Sequence, residues 1–335
     1  MPYLAPKSPE ALTGAVGTLA TRAPMKTPLY PRLTTTVPRE FVHRAAVSEV
    51  LLTGWEADGL AGSGEDEQDG FVVRAQWPRS HSLFAPGGGY QDPMLLIESV
   101  RQVGSLLAHA EFGVPFGHQF LMWDMSFTAE PELLAAETVP TEIELRTECS
   151  DIVRRGGSLS AMRYDVTVLR GGKALATGGA AFRCMNPSVY RRLRCDRPTT
   201  TDRMAPPAID PASVGHTNAL NVVLARPGQN AGNRWELRVD TAHPTYFDHP
   251  VDHVPGMVLL EAARQAAHAS TGMPDALVLG LKSEFARYAE LDTPCWIEAR
   301  TESHGTTGNV LVKVSGTQDE ETVFTAELLV SPRTR

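Results

Sequence analysis

The sequence predicts an α+β protein that contains two copies of one unit, an antiparallel sheet wrapped around a central helix. Two observations support this fold class: an internal repeat, and the same order of elements in each half of the chain. In each half an alternating strand (71–77 or 234–240) precedes an apolar helix, and strand-like runs separated by turn residues follow it. With 335 residues, 42% of them hydrophobic, the chain is long enough for two domains.

The repeat is clearest around the two predicted helices. Residues 84–102, FAPGGGYQDPMLLIESVRQ, align without a gap on residues 247–265, FDHPVDHVPGMVLLEAARQ. Three polar helix positions are identical in the two halves: Glu98, Arg101 and Gln102 match Glu261, Arg264 and Gln265. Similarity resumes downstream, where IELRTE (143–148) parallels IEARTE (297–302). A tandem duplication explains these matches better than chance.

The repeat divides the chain into four segments. Residues 1–37 are broken by prolines and lack the continuous apolar stretch of a signal peptide, so a loose leader is expected there. Residues 186–213 are rich in Pro, Arg and Thr and have no periodicity, which indicates a linker between the halves. The two domains are therefore predicted over residues 38–185 and 214–331.

Composition limits the class of protein. A net charge of −8 argues against a nucleic-acid partner held by phosphate contacts. No apolar run approaches the roughly 20 residues that a membrane span requires. The four cysteines are scattered without a CxxC pair, which favours neither a disulfide framework nor a zinc ribbon. A reducing, cytoplasmic location is the expectation.

Glu261 and Arg264 lie in a helical segment that is apolar on nearly every face. Charged residues are seldom buried without a partner or a task. One interpretation is an i,i+3 salt bridge on a narrow exposed stripe, which stabilises a helix by roughly a few tenths of a kcal/mol. Because the pair recurs at the same place in both halves, a functional site is the better interpretation.

The start of the second helix suits an acyl substrate. Val254-Pro255-Gly256 is typical of a helix start, since proline fits the first helical turn. Free backbone N–H groups around Gly256 and Met257 lie at the positive end of the helix dipole. Such groups stabilise a thioester carbonyl oxygen as it becomes anionic. A carboxylate one turn deeper is placed to act as a base.

Two family resemblances follow from these residues. The skeleton P-G-x-x-x-x-E-A-x-x-Q (255–265) is similar to the hot-dog fold dehydratases of fatty acid synthesis. The fuller stretch 247–265, together with VHRAAVSEVLLTG (42–54), resembles the A-factor biosynthesis family, tandem hot-dog proteins of actinomycetes. This second resemblance covers about residues 38–331 and implies a tandem, or double, hot-dog fold.

The resemblance to the dehydratases does not extend to their catalytic histidine. Their catalytic histidine precedes the helix glutamate by 14 residues, and the matching position here is Phe247. The nearest histidines are His249 and His253. Because dehydration needs a histidine and a carboxylate to divide proton removal from proton return, this departure argues against that reaction.

The resemblance to the A-factor family implies a different reaction. A β-ketoacyl group would move from acyl carrier protein to the free hydroxyl of dihydroxyacetone phosphate. The ester would lead to a γ-butyrolactone or furan signalling molecule that controls antibiotic production. The resemblance carries over Glu98, Glu261 and Arg264 as site residues and implies no cofactor.

These residue types suit acyl transfer to an alcohol. The hypothesis is that Glu261 or Glu98, desolvated and with a raised pKa, is the base. Arg264 would bind the phosphate or the developing oxyanion, because its guanidinium is a forked donor. Five further residues are expected to contact substrate: Arg101, His249, Gly256, Met257 and Gln265.

Alternatives stay open at this point. A hot-dog thioesterase or dehydratase would be favoured if a histidine from another loop faced Glu261. A non-catalytic acyl-binding or regulatory protein is the alternative outside enzymes. A metal at His249 and His253 is not expected, because Pro250 breaks any helix there and no third ligand is evident. The segment RRLR (191–194) is either solvated or a docking surface for the carrier protein, and the pseudo-dimer suits a monomer or a homodimer.

Overall fold

The computed structural model describes most of the chain beyond the predicted leader. The described residues are 34–58, 69–195, 197–228, 231–303 and 308–333. Residues 1–33 lie outside them, so the expected leader is untested. Thr35–Arg335 forms one compact unit, and the predicted domain boundaries stay predictions. The described helices are all too short or too polar to span a bilayer.

The described strands form one antiparallel sheet. Its order is β1-β2-β4-β5-β6-β3-β8-β11-β10-β9-β7. The strands, in chain order, are β1 Leu52–Ala57, β2 Asp69–Trp77, β3 Gln119–Ala129, β4 Thr141–Arg155, β5 Ser158–Arg170, β6 Lys173–Met185, β7 Arg234–Glu236, β8 Leu277–Phe285, β9 Trp296–Ser303, β10 Val310–Gln318 and β11 Glu321–Ser331.

The two halves of the sheet meet at β3 and β8, the first strand after each long helix. Their register runs from Asp124 opposite Glu284 to Thr128 opposite Gly280. The Ser283 hydroxyl also donates to the Met125 carbonyl at 2.9 Å across this seam. The sheet therefore continues from one half into the other, and the two helices share one core.

The two long helices lie where the repeat predicts them. They are α1, Met94–Ala110, and α3, Gly256–Thr271. Both are buried along almost their whole length, α1 against the strands of the first half and α3 against β8 to β11. The predicted α+β plan, with an antiparallel sheet around each helix, is confirmed.

Two predicted elements differ from the structure. The segment 186–213, which lacks periodicity and is expected to be a linker, contains the helix α2, Pro187–Arg194. Asn186 caps that helix by accepting a hydrogen bond from the Val189 N–H, and proline occupies the first turn. The strand predicted over 234–240 ends at Glu236, and Leu237 then pairs with Leu224 through an isolated bridge.

Gly104 of α1 allows the helix to approach the sheet closely. A Cβ atom at Gly104 would lie 2.6 Å from the Tyr164 hydroxyl oxygen. That hydroxyl is fully buried and donates to the Val100 carbonyl at 2.7 Å. The packing of α1 on β5 therefore requires glycine at this position.

We expect Gly104→Ala to lower the free energy of unfolding by about 1–3 kcal/mol, because overpacking forces the helix or Tyr164 to shift. Urea denaturation measures the change. Gly54→Ala is the matched control, since a Cβ there meets nothing within 4 Å. Equal stability of the two variants would contradict the close approach.

Candidate active site

Glu98 lies at the centre of a buried polar cluster on α1. It is 1% exposed. Arg101 donates to both carboxylate oxygens, from Nε to Oε2 at 2.9 Å and from Nη2 to Oε1 at 2.8 Å. Gln102 donates to Oε1 at 2.6 Å. Arg44, from the loop before β1, places Nη2 2.7 Å from the same oxygen. Two cations therefore surround one carboxylate.

Glu261 occupies the equivalent position on α3 and is fully buried. Its Oε1 accepts from Gln265 at 2.7 Å and from Arg264 at 2.9 Å. His216 places Nε2 2.7 Å from Oε1. This cluster has one arginine and one imidazole where the first has two arginines.

The glutamine of each helix positions the loop that supplies the remaining partner. Gln102 accepts from the Leu51 N–H and donates to the Glu49 carbonyl. Gln265 accepts from the Val223 N–H and donates to the Asn221 carbonyl. The Gln265 amide is occupied by the backbone and by Glu261 in this arrangement, and its predicted contact with substrate stays a prediction.

Arg44 and His216 were missed by the sequence reasoning, although the sequence contains their signal. VHRAAVSEVLL (42–52) aligns on VGHTNALNVVL (214–224), and this alignment puts Arg44 opposite His216. These loops pair at a spacing of 172 residues, whereas the helices pair at 163, so the gapless alignment of the helices does not reach them. The duplicated segment therefore extends to the loops that complete both clusters.

Both glutamates have a lowered pKa, so the expected raised pKa is wrong. Burial by itself raises the pKa of Glu98, but the Arg101 and Arg44 guanidiniums outweigh it and lower the pKa to about 2. Burial also raises the pKa of Glu261, and Arg264 with His216 outweighs it and lowers the pKa to about 2. Each carboxylate is held ionised, and paired cations make it a weak base.

Arg264 is occupied by two carboxylates. Its Nη1 donates to Asp92 Oδ1 at 2.9 Å and to Oδ2 at 2.8 Å, and its Nη2 donates to Glu261. Asp92 precedes α1, so this ion pair joins the start of one helix to the middle of the other. The predicted phosphate contact is not available to Arg264 in this arrangement, because its terminal nitrogens already have anionic partners.

A cavity of about 210 Å³ lies between the first helix and the start of the second. Arg44 and Arg101 lie on one side, and Gly256 and Met257 of the first turn of α3 lie on another. The first N–H groups of a helix, here those of Gly256 and Met257, lack an acceptor four residues earlier within the helix. Much of the remaining wall is apolar and includes Phe120, Met122, Met125, Phe182, Leu260 and Phe285, while histidines and polar side chains such as Gln119 and Thr245 complete it.

A wider, basic cavity of about 530 Å³ adjoins this one and is called the vestibule here. The two share His43, Arg44, His249 and His253 in their walls. The vestibule adds three arginines of the linker segment, Arg191, Arg194 and Arg197. Arg194 is buried and bound to Asp252 and Glu290, so RRLR is not simply solvated.

The predicted site residues therefore lie in three places. Arg101, His249, Gly256 and Met257 meet at the cavity. Glu98 lies directly behind this wall, bound to Arg44 and Arg101. Three others form the enclosed cluster on α3 and line none of the described cavities: Glu261, Arg264 and Gln265.

Comparisons with known proteins agree on one family. Residues 25–186 and 198–332 match the A-factor biosynthesis hotdog domain. A Streptomyces virginiae protein named 2-oxo-3-(phosphooxy)propyl 3-oxoalkanoate synthase is 52% identical over 293 residues, which cover 87% of this chain and 96% of that protein. A Streptomyces griseus protein of the same name is 40% identical over 296 residues, covering 88% of this chain and 95% of that protein.

A solved structure is similar in fold. It is a Lactobacillus plantarum protein described as an oleoyl thioesterase, with a TM-score of 0.52, 9% sequence identity, and coverage of 81% of this chain and 99% of that chain. At this identity the likeness concerns the fold alone.

The two lowered pKa values make stability depend on pH. A group whose pKa falls on folding stabilises the protein above its unfolded pKa, and that stability is lost as pH falls through the folded value. For Glu98 and Glu261 this window runs from 4.5 down to about 2. We expect the free energy of unfolding, measured with urea, to fall across this window.

Glu98→Gln should show a smaller fall in the free energy of unfolding across this window, because it removes one of the buried carboxylates that must be protonated. Glu321→Gln is the control, since it removes an exposed carboxylate that pairs with Arg287 at the surface. A pH dependence that is identical in wild type and Glu98→Gln would contradict the buried pairing.

Proposed function

The chain belongs to the A-factor biosynthesis hotdog family, and from that premise we propose that it transfers a 3-oxoacyl group from a thioester to the hydroxyl of dihydroxyacetone phosphate. Both the family and the tandem hot-dog fold expected from the paired motifs are confirmed. The relatives are named for the ester this reaction makes, a 3-oxoalkanoate carrying a 2-oxo-3-(phosphooxy)propyl group. The chain is accordingly an enzyme of the acyltransferase class.

The cavity supports this function because its parts match the parts of the reaction. The apolar wall suits an acyl chain, which gains free energy when it leaves water. The first turn of α3 suits the thioester carbonyl, whose oxygen becomes anionic during attack. The basic vestibule suits phosphate groups, which both dihydroxyacetone phosphate and the arm of an acyl carrier protein bear. The proposal rests on one observation: an apolar wall, a helix start and a basic vestibule border the same cavity.

The proposed site residues remain Glu98, Glu261 and Arg264. Their proposed role is to form the ion pairs that position the walls of the cavity. Glu98 holds Arg44 and Arg101 at the cavity wall. The Glu261–Arg264 pair, tied to Asp92, holds α3 in place behind its first turn. Removing one partner of such a buried pair leaves an uncompensated charge and costs about 3–5 kcal/mol. These residues therefore support the geometry of the site.

One observation favours a hot-dog thioesterase or dehydratase as a second candidate. His216, from a loop, faces Glu261 at 2.7 Å. Three observations argue against this candidate. His216 and Glu261 are both buried, and Arg264 contacts both of them. Neither His216 nor Glu261 lines a described cavity. A substrate would have to displace the Asp92–Arg264 pair to reach them.

The transferase is tested with purified protein, a 3-oxoacyl thioester and dihydroxyacetone phosphate, followed by mass spectrometry. We expect a phosphorylated ester that forms only when the acceptor is present. Free 3-oxo acid at the same rate with and without acceptor would identify a thioesterase. Loss of water from a 3-hydroxyacyl thioester would identify a dehydratase, and binding without turnover would identify an acyl-binding protein.

Substitutions in the two clusters test which one borders the reaction. We expect Glu98→Gln to lower kcat/KM by about 100-fold, because Arg44 and Arg101 lose their anchor at the cavity, an effect of about 2.7 kcal/mol. Glu261→Gln should lower the melting temperature but cost less activity below that temperature. Activity and thermal unfolding are measured on both. If folded Glu261→Gln loses more activity than Glu98→Gln, the reaction takes place at the cluster around Glu261 instead.

A further inference from the structure

We propose that His249 is the catalytic base that takes the proton of the acceptor hydroxyl, and that Asp248 is the residue that positions it. The inference rests on the proposed transferase function. It is carried by the geometry of the loop before α3, which places His249 in the walls of both the cavity and the vestibule, with Asp248 buried beside it.

The pair has the geometry of an oriented imidazole. His249 Nδ1 lies 2.5 Å from Asp248 Oδ1. A carboxylate only accepts, so Nδ1 carries the proton, and Nε2 of the neutral ring keeps its lone pair. The Asp248 side chain is 2% exposed, whereas the His249 side chain is 45% exposed. Asp248, which orients the ring, is thus buried, and the His249 ring, which would accept the proton, is open.

The position of Asp248 is itself determined by the first half of the chain. Its Oδ2 accepts from the Ala45 N–H at 2.9 Å. Arg44 Nη1 lies 3.8 Å from Oδ1 and donates to the Thr245 carbonyl at 3.0 Å. Because Arg44 is bound to Glu98, a continuous chain of contacts runs from the α1 carboxylate to the imidazole.

Glu98 and Glu261 are poor bases by comparison. Their oxygens accept from arginine and glutamine side chains, and both carboxylates are buried. Neither lines the cavity where the thioester is proposed to bind. The role that Glu98 retains in this arrangement is to hold Arg44, and through it Asp248.

Two other imidazoles border the cavity and are less suited to the task. His253 Nδ1 lies 2.7 Å from Asp252, but its ring packs edge-on against Tyr288 and its side chain is 27% exposed. His43 Nε2 lies 2.7 Å from His109 Nε2. Burial, with His109 next, also lowers the pKa of His43 to about 3, which makes it a weak base.

The first half has no counterpart of the pair. In the alignment of the two helices, Ala85 stands opposite Asp248 and Pro86 opposite His249. Neither side chain moves a proton. In the other cluster, the Asp92–Arg264 ion pair occupies the region before α1. The duplicated protein therefore has one reacting site, built from the loop and helix start of the second half and the charged cluster of the first.

The proposed step balances without a cofactor. His249 Nε2 takes the hydroxyl proton as the acceptor oxygen bonds to the thioester carbonyl carbon, whose oxygen becomes anionic against the first turn of α3. The carbon–sulfur bond then breaks, and the departing thiolate takes the proton from Nε2. The products are the ester and the free thiol.

Four variants of the full chain test the step, each checked for a native melting temperature. We expect His249→Gln to lower kcat by about 100-fold or more with little change in KM. Asp248→Asn should lower kcat in the same way, because the amide stabilises the wrong tautomer. Added imidazole should restore part of the activity of His249→Ala and none of that of Asp248→Asn. His253→Gln should lose less than about tenfold and should not respond to imidazole.

Three results would overturn the assignment. They are a His249→Gln variant that keeps more than about a tenth of kcat, a folded but inactive His249→Ala that imidazole does not restore, and a loss in His253→Gln as large as that in His249→Gln. Failure of the transferase function is distinguishable, because wild type itself would then make no ester.

Discussion

The structure depends on the burial of one carboxylate in the middle of each central helix. An ionised carboxylate without partners is too costly to bury, so polar side chains around Glu98 and Glu261 have to supply donors. For Glu98 those donors come from its own helix and from the loop before β1. The charge therefore joins distant parts of the chain, and the cavity forms where they meet.

Duplication has produced two clusters with the same scaffold and different surroundings. Gln102 and Gln265 bind their loops in the same way, which preserves the frame of each half. The partner supplied by the loop has diverged from Arg44 to His216. One cluster consequently supports an open cavity that faces the start of α3, while the Asp92 pair closes the other. The exchange of Arg44 for His216 and the added Asp92–Arg264 pair thus leave the duplicated protein with one open site.

The repeat and the apolar helices were predictable, because periodicity and gapless identity are local properties of the sequence. The roles of the carboxylates were not, since a pKa depends on partners that folding brings together. Arg44 lies 54 positions from Glu98 in the chain, and nothing in the helix motif indicates it. The link from Asp92 to Arg264 spans 172 positions. Helix α2 is hard to predict because it is short and its Asn-Pro start also suits a linker.

The most direct test is a crystal structure with a non-hydrolysable 3-oxoacyl pantetheine analogue. We predict that the acyl chain lies between Phe120 and Leu260 and that the carbonyl oxygen contacts the first turn of α3. The pantetheine arm should leave through the vestibule past His249. An analogue bound instead against His216 and Glu261, with the Asp92–Arg264 pair separated, would contradict the account.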